Sequence, residues 1–315
     1  MKYTFPEGFK LGATGAGWQM EGETDKRPDQ KHFPHLMWEN DRENWYLGLG
    51  PDVASDFYGH FREDIPMFRK AGILQYRFNI DWSRFLDDYE NVVVNEKAAQ
   101  YYSDVIDCLI ENGIEPVLCL EHWELPAALY EKYDGYASRH VVDLYARYAR
   151  EAFRRYGDRV KTWFTFNEPM VIPELCFLNG FWWPKEHQPA RAFRWIHGKI
   201  LCTARAVEIF RQELPEGRIG VIVNPPYIIP RDANNPADAE AADVADNFYW
   251  RPFMDTAILG RYPQKFLDIL QRENVMFDLT EEDKALIAKN TVDILGMNYY
   301  QPMRVKAKET PWDDS

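Results

Sequence analysis

Short apolar runs recur along this chain, and a helix-like stretch separates each from the next. The runs are "FKLGAT" (9–14), "LQYRFNI" (74–80), "PVLCL" (116–120), "VKTWFTF" (160–166), "RIGVIV" (218–223) and "VDILGMNYY" (292–300). Between them, apolar residues return at helical spacing over 56–70, 95–112, 138–156, 191–214, 239–259 and 281–289. In 95–112 the stripe is Tyr101, Tyr102, Val105, Ile106, Leu109 and Ile110, and Asn112-Gly113 stops it. Ser55 is the expected cap of the helix over 56–70, and Pro66 is expected to bend or shorten that helix. Strands that alternate with helices imply a parallel sheet. The runs show little in-out alternation, so both faces of the sheet should be covered.

Polar groups gather where the runs end. Arg77 lies within the second, His122-Trp123 follows the third, Asn167-Glu168 the fourth and Asn224 the fifth, while Asn298 and Tyr300 close the sixth. In a (β/α)8 TIM barrel the C-terminal strand ends converge on the active site. The pattern fits an α/β chain supplying about the first six β/α units of such a barrel, as a single incomplete domain over residues 1–315. A barrel of this kind commonly takes about 250 residues. In "WFTFNEPM" (163–170) the apolar strand carries Glu168 to the mouth, and Pro169 ends the pairing.

Each of these residues also has a plainer reading. A strand-end glutamate is often a helix cap or an ion-pair partner. His122 fits a satisfied core histidine as well as a donor to a sugar hydroxyl beside a stacking Trp123. Arg77 amid "YRFNI" needs an anion if it is buried. His32 and His35 in "HFPH" have no further clustered ligand, so no metal is expected. Glu111 in "IENG" (110–113) imitates a catalytic carboxylate motif, but it ends a helix and precedes a strand. That puts it at the face opposite the mouth.

Taken together, the sequence resembles the family 1 glycoside hydrolases, retaining β-glycosidases on a (β/α)8 barrel. The resemblance runs the length of the chain through "FPEGFKLGATGAGWQMEG", "SDFYGHFREDI", "YRFNIDWSRF", "EHWELP", "WFTFNEP" and "LGMNYY", in the family's order. It implies Glu168 as the general acid/base and Asn167 as the holder of the sugar 2-hydroxyl. Gln19, His122 and Trp123 would grip the 3- and 4-hydroxyls and the ring. Arg77 and Tyr300 would orient the nucleophile, with Asn298 nearby. Trp18 and Asn79 stand where the family more often has Tyr or His and Ser. The family's nucleophile is a glutamate at the end of a seventh strand, and none is expected within these 315 residues. The segments "ENWYLGLGPDVASDFY", "NPADAEAADVADNFYW" and "NTVDILGMNYYQPMRVKAKE" look most like bacterial 6-phospho-β-glucosidases. The alternatives are a sugar-binding remnant without catalysis, and a chain that works with a complementary C-terminal fragment or self-associates.

Composition narrows the partners. Lys+Arg is 37 against Asp+Glu 50, a net charge of −13, which disfavours nucleic acid and anionic membranes. The N-terminus has no long apolar run, so neither signal peptide nor membrane span is expected. Cys108, Cys119, Cys176 and Cys202 show no paired spacing and read as reduced core thiols of a cytoplasmic protein. The expected partner is a small-molecule β-glycoside, with no cofactor.

Overall fold

The computed structural model describes residues 4–309. Six strands form one sheet: β1 (Gly12–Thr14), β2 (Gln75–Asn79), β3 (Glu115–Cys119), β4 (Thr162–Asn167), β5 (Arg218–Val223) and β6 (Ile294–Met297). They pair in chain order and every pairing is parallel. Each crossover carries helix, which is what parallel neighbours require. The principal helices are α1 (Phe57–Lys70), α2 (Glu96–Glu111), α3 (Arg139–Tyr156) and α4 (Pro189–Glu213). The result is the α/β half-barrel that the alternation implies, with β1 and β6 at its two open edges among the described residues. No helix among them is long and apolar enough to cross a membrane.

Local chemistry sets the element ends. The Asn95 side chain accepts the Ala98 N–H at 3.0 Å and starts α2. Gly113, at φ +67°, supplies the left-handed turn beyond its end. The apolar stripe of α2 buries Ala98, Tyr102, Val105, Ile106 and Leu109. In β4 every residue except Phe164 is buried, because helices cover one face and the barrel interior the other. All four cysteines are free and buried.

Several expectations change. Helix α1 runs unbroken through Pro66. The turn that loses a donor there is the exposed one around Arg62 and Glu63, where water can serve the carbonyl. Asp56, not Ser55, precedes α1, and the Ser55 hydroxyl donates to Met20 O at 3.3 Å. The stretch 239–259 is two helices, Pro236–Tyr249 and Arg251–Leu259. Pro252 opens the second, since it has no N–H to continue the first. Strand β1 is shorter than 9–14, and Phe9 stacks on Phe5 at 4.2 Å instead of entering the sheet. Several elements have no counterpart in the sequence reading, among them the helices Phe33–Asn40, Ala127–Tyr133 and Gln264–Arg272, and a parallel ribbon of Tyr227–Pro230 with Pro302–Val305.

"HFPH" is structural. His32 Nδ1 accepts the His35 N–H at 3.1 Å and caps Phe33–Asn40. His35 bridges Glu23 at 2.6 Å and Glu39 at 3.2 Å. Glu111 is the exposed last residue of α2, before β3 begins, and so lies at the end of the sheet away from Glu168.

Candidate active site

Six of the eight expected site residues form one hydrogen-bonded group: five from the C-terminal ends of β2, β4 and β6, and His122 from the end of β3. Arg77, in β2, donates from Nη1 to Asn167 Oδ1 at 2.7 Å. Asn298, just past β6, donates to the same oxygen at 3.1 Å and to Glu168 Oε1 at 2.6 Å. The Tyr300 hydroxyl donates to Glu168 Oε1 at 3.1 Å. Because Asn167 Oδ1 accepts twice, its amide nitrogen must be the group that meets His122 Nε2 at 2.9 Å. That makes Nε2 an acceptor and leaves the proton on Nδ1. Arg77, Asn167 and Glu168 are buried, while Tyr300 is exposed.

The imidazole of His122 is held down at about 3, from an ordinary 6.5, first by burial and then by the Arg77 and Lys199 charges. It is therefore neutral at and around neutral pH. The unfolded chain binds a proton on this ring below pH 6.5 that the folded chain resists down to about 3. The stability this contributes is full above 6.5 and is lost as the pH falls through that window. The urea midpoint should fall more steeply from about pH 7 to about pH 4.5 in the wild type than in His122→Gln. Equal slopes would remove His122 from the acid limb.

Glu168 and Trp123 both adopt left-handed backbone, at φ +50° and +81°. Non-glycine residues rarely do so, and such strain concentrates at functional positions. The Glu168 N–H donates to Ile222 O of β5 at 2.8 Å, which holds this geometry in place. Trp123 stacks on Trp18 with ring centroids 5.7 Å apart and meets His122 edge-on at 5.6 Å. Gln19 is exposed in the short helix Gly17–Met20 after β1, and among the described residues its side chain makes no hydrogen bond. Of the expected sugar-gripping residues, Gln19 and Trp123 lie outside the hydrogen-bonded group among the described residues, and Trp123 joins it only through its ring contact with His122.

Buried residues fix these loops from behind. Asn79 Oδ1 accepts the Gly17 N–H at 2.7 Å. Glu124, fully buried, accepts Trp18 N–H at 3.1 Å on one oxygen and His122 N–H at 2.9 Å on the other. Burial, with Asp81 and Glu121 near, pushes its carboxyl well above the ordinary range, while the two N–H groups pull it back. Glu121 and Lys199, both buried, lie 3.6 Å apart, and the Glu121 carbonyl accepts the Asn167 N–H at 2.9 Å. Sequence reasoning missed Glu124, although it stands in "EHWELP" beside His122 and Trp123.

No hydrogen bond or ion pair among the described residues brings a second carboxylate to Glu168, Asn167, Arg77 or Tyr300. Among the described residues Arg77 Nε, which is buried, has no hydrogen-bond partner. The group as it stands can donate or accept a proton at Glu168, bind hydroxyls through Asn167 and His122, and receive one further anion at Arg77.

Residues 1–314 match Glycosyl hydrolase family 1. The 6-phospho-beta-glucosidase GmuD of Bacillus subtilis is 40% identical over 308 residues, covering 98% of this chain and 66% of the relative. Beta-glucosidase A of Thermotoga maritima is 35% identical over 306 residues, covering 96% of this chain and 66% of the relative. A solved family 1 β-glucosidase from Thermotoga maritima superposes with a TM-score of 0.88 at 34% identity, covering 96% of this chain and 67% of that one. The chain thus spans about two thirds of the length of these relatives.

Proposed function

We propose, from the premise that this chain belongs to glycosyl hydrolase family 1, that its site serves hydrolysis of a β-glycosidic bond with Glu168 as acid/base. The observation that carries this is the single cluster at the strand ends. Glu168 sits on strained backbone with Asn298 and Tyr300 on one oxygen, and no hydrogen bond among the described residues takes the other, which is open to a glycosidic oxygen. Asn167 is fixed by Arg77 on one side and His122 on the other, a rigid place for a sugar hydroxyl beside the acid. In a retaining mechanism a second carboxylate stands about 5–5.5 Å from the acid and attacks the anomeric carbon. Arg77 Nε, buried and unpartnered among the described residues, is the group in this chain suited to hold one.

The substrate class we favour is the 6-phospho-β-glucoside. The supporting relative is GmuD, at 40% identity against 35% for the plain β-glucosidase. Buried free thiols agree with a cytoplasmic site for such chemistry. The test is a chimera that joins this chain to the remaining third of GmuD, assayed on aryl β-glucosides with and without the 6-phosphate. Turnover of the phosphorylated substrate with the higher kcat/KM is the expected result. A preference for the plain glucoside would return the chain to the ordinary β-glucosidases, and no turnover of either would remove the hydrolase reading. A second reading, a sugar-binding protein without catalysis, is favoured by the missing second carboxylate among the described residues. Binding without turnover in that same chimera would select it.

A further inference from the structure

An acid that protonates a glycosidic oxygen stands between the sugar ring and the leaving group. If Asn167 and His122 hold the ring, the leaving group departs on the other side of Glu168. A cavity of ≈ 190 Å³ opens there, and its walls include Met170, Glu174, Asn224, Tyr249 and Trp250. Tyr300 joins the two spaces, since it donates to Glu168 and also lines the cavity. The volume is small beside the roughly 300–1,000 Å³ of drug-sized pockets, and suits a single ring.

Glu174 is the carboxylate of this cavity, and the acid/base chemistry does not use it. It lies in Pro173–Leu178, a π-helical turn that leaves β4 just after Glu168, and such turns are often found at functional sites. Its one side-chain partner is Asn179 Nδ2, at 3.3 Å on Oε1. Among the described residues no cation pairs with it. Burial raises its carboxyl above the ordinary range, with only the Asn179 bond opposing. An ionised carboxylate enclosed beside a plain phenyl ring would lose water and gain no partner. A hydroxylated ring would return that hydrogen bonding, and Tyr249 and Trp250 in the cavity wall offer aromatic surface for its C–H groups.

Resting on the hydrolase reading above, we propose that Glu174 is a specificity-determining residue that selects a polyhydroxylated leaving group, a second sugar, over a plain aryl group. The experiment uses the 315-residue chain and two sulfur-linked probes that resist hydrolysis, thiocellobiose and phenyl 1-thio-β-glucoside. Each is prepared with and without a 6-phosphate on its glycone, so that the result does not hang on the glycone. Calorimetry on the wild type should show tighter binding of thiocellobiose. Glu174→Leu should weaken thiocellobiose by about 10-fold or more, the usual loss for a hydrogen bond to a charged group, and leave the phenyl probe as tight or tighter. Glu174→Gln, which keeps one acceptor oxygen, should fall between. Equal losses for both probes would mark a structural effect and overturn the inference, as would an unchanged thiocellobiose affinity in Glu174→Leu. A wild type that binds the phenyl probe but not thiocellobiose overturns this inference alone. A wild type that binds neither overturns the sugar site itself, and the inference with it.

Discussion

In the chimera with the remaining third of GmuD, Glu168→Gln should cut the hydrolysis of β-glycosides with poor leaving groups by about 10²–10⁴-fold, the usual worth of general acid catalysis. An alkoxide or sugar oxygen leaves only as it is protonated, and the glutamine amide has no proton to give at that oxygen. A dinitrophenyl leaving group departs as a stable anion. Its first, bond-breaking step should therefore be slowed far less, and the unaided attack of water should then limit the second. The structural basis is the Glu168 oxygen that no hydrogen bond among the described residues takes. Oε1 is occupied by Asn298 at 2.6 Å and Tyr300 at 3.1 Å, and glutamine is close enough in shape to keep an oxygen facing both donors. The substitution thus removes the proton without moving the strand end. Pre-steady-state rates on the two substrate types decide the matter. Equal and small losses on both would take Glu168 out of the role.

The strand that carries Glu168 was readable because an apolar run stops abruptly at an amide and an acid. The sequence places it over 160–166, and β4 spans Thr162–Asn167. The convergence of Arg77, Asn167, Asn298 and Tyr300 follows from the same logic, since parallel strands set all their C-terminal ends at one mouth. What the sequence could not disclose is the backbone of Glu168 and Trp123. A left-handed conformation at a non-glycine residue is imposed by its surroundings, here in part by Ile222 O on the next strand. The role of Glu124 was hidden for a related reason. Its bond to the Trp18 N–H joins positions 106 residues apart, and no local pattern encodes that distance. The ribbon of Tyr227–Pro230 with Pro302–Val305 is parallel and remote, without the tight turn that announces a hairpin. The helix Gln264–Arg272 is a different case. Phe266, Ile269 and Leu270 fall on one face after Pro263, so the signal was present and went unread. Glu174 is legible only through the π-helical turn that aims it, which has no simple sequence signature.

The 315-residue chain on its own should bind a glucoside and not turn it over. Double displacement needs a carboxylate on each side of the anomeric carbon, and the described residues bring only Glu168 to that place. Arg77 meanwhile keeps a buried Nε without a partner among the described residues, and a buried guanidinium short of an anion is costly. The sheet adds a second problem. Among the described residues strands β1 and β6 pair on one side only, and Phe9, Leu11, Met297 and Tyr299 near those edges are about half exposed. Open parallel edges flanked by apolar side chains invite pairing with another chain. Purified chain should therefore elute larger than a monomer, and a polypeptide carrying the remaining third of GmuD should shift it to a discrete complex. If that complex supplies the second carboxylate to Arg77, hydrolysis of an aryl 6-phospho-β-glucoside should appear on mixing and vanish with Arg77→Met in this chain. Steady turnover by the isolated chain, abolished by Glu168→Gln, would mean that a nucleophile among these residues has been overlooked. Glu111 would be the first to test, although its place at the far end of the sheet argues against it.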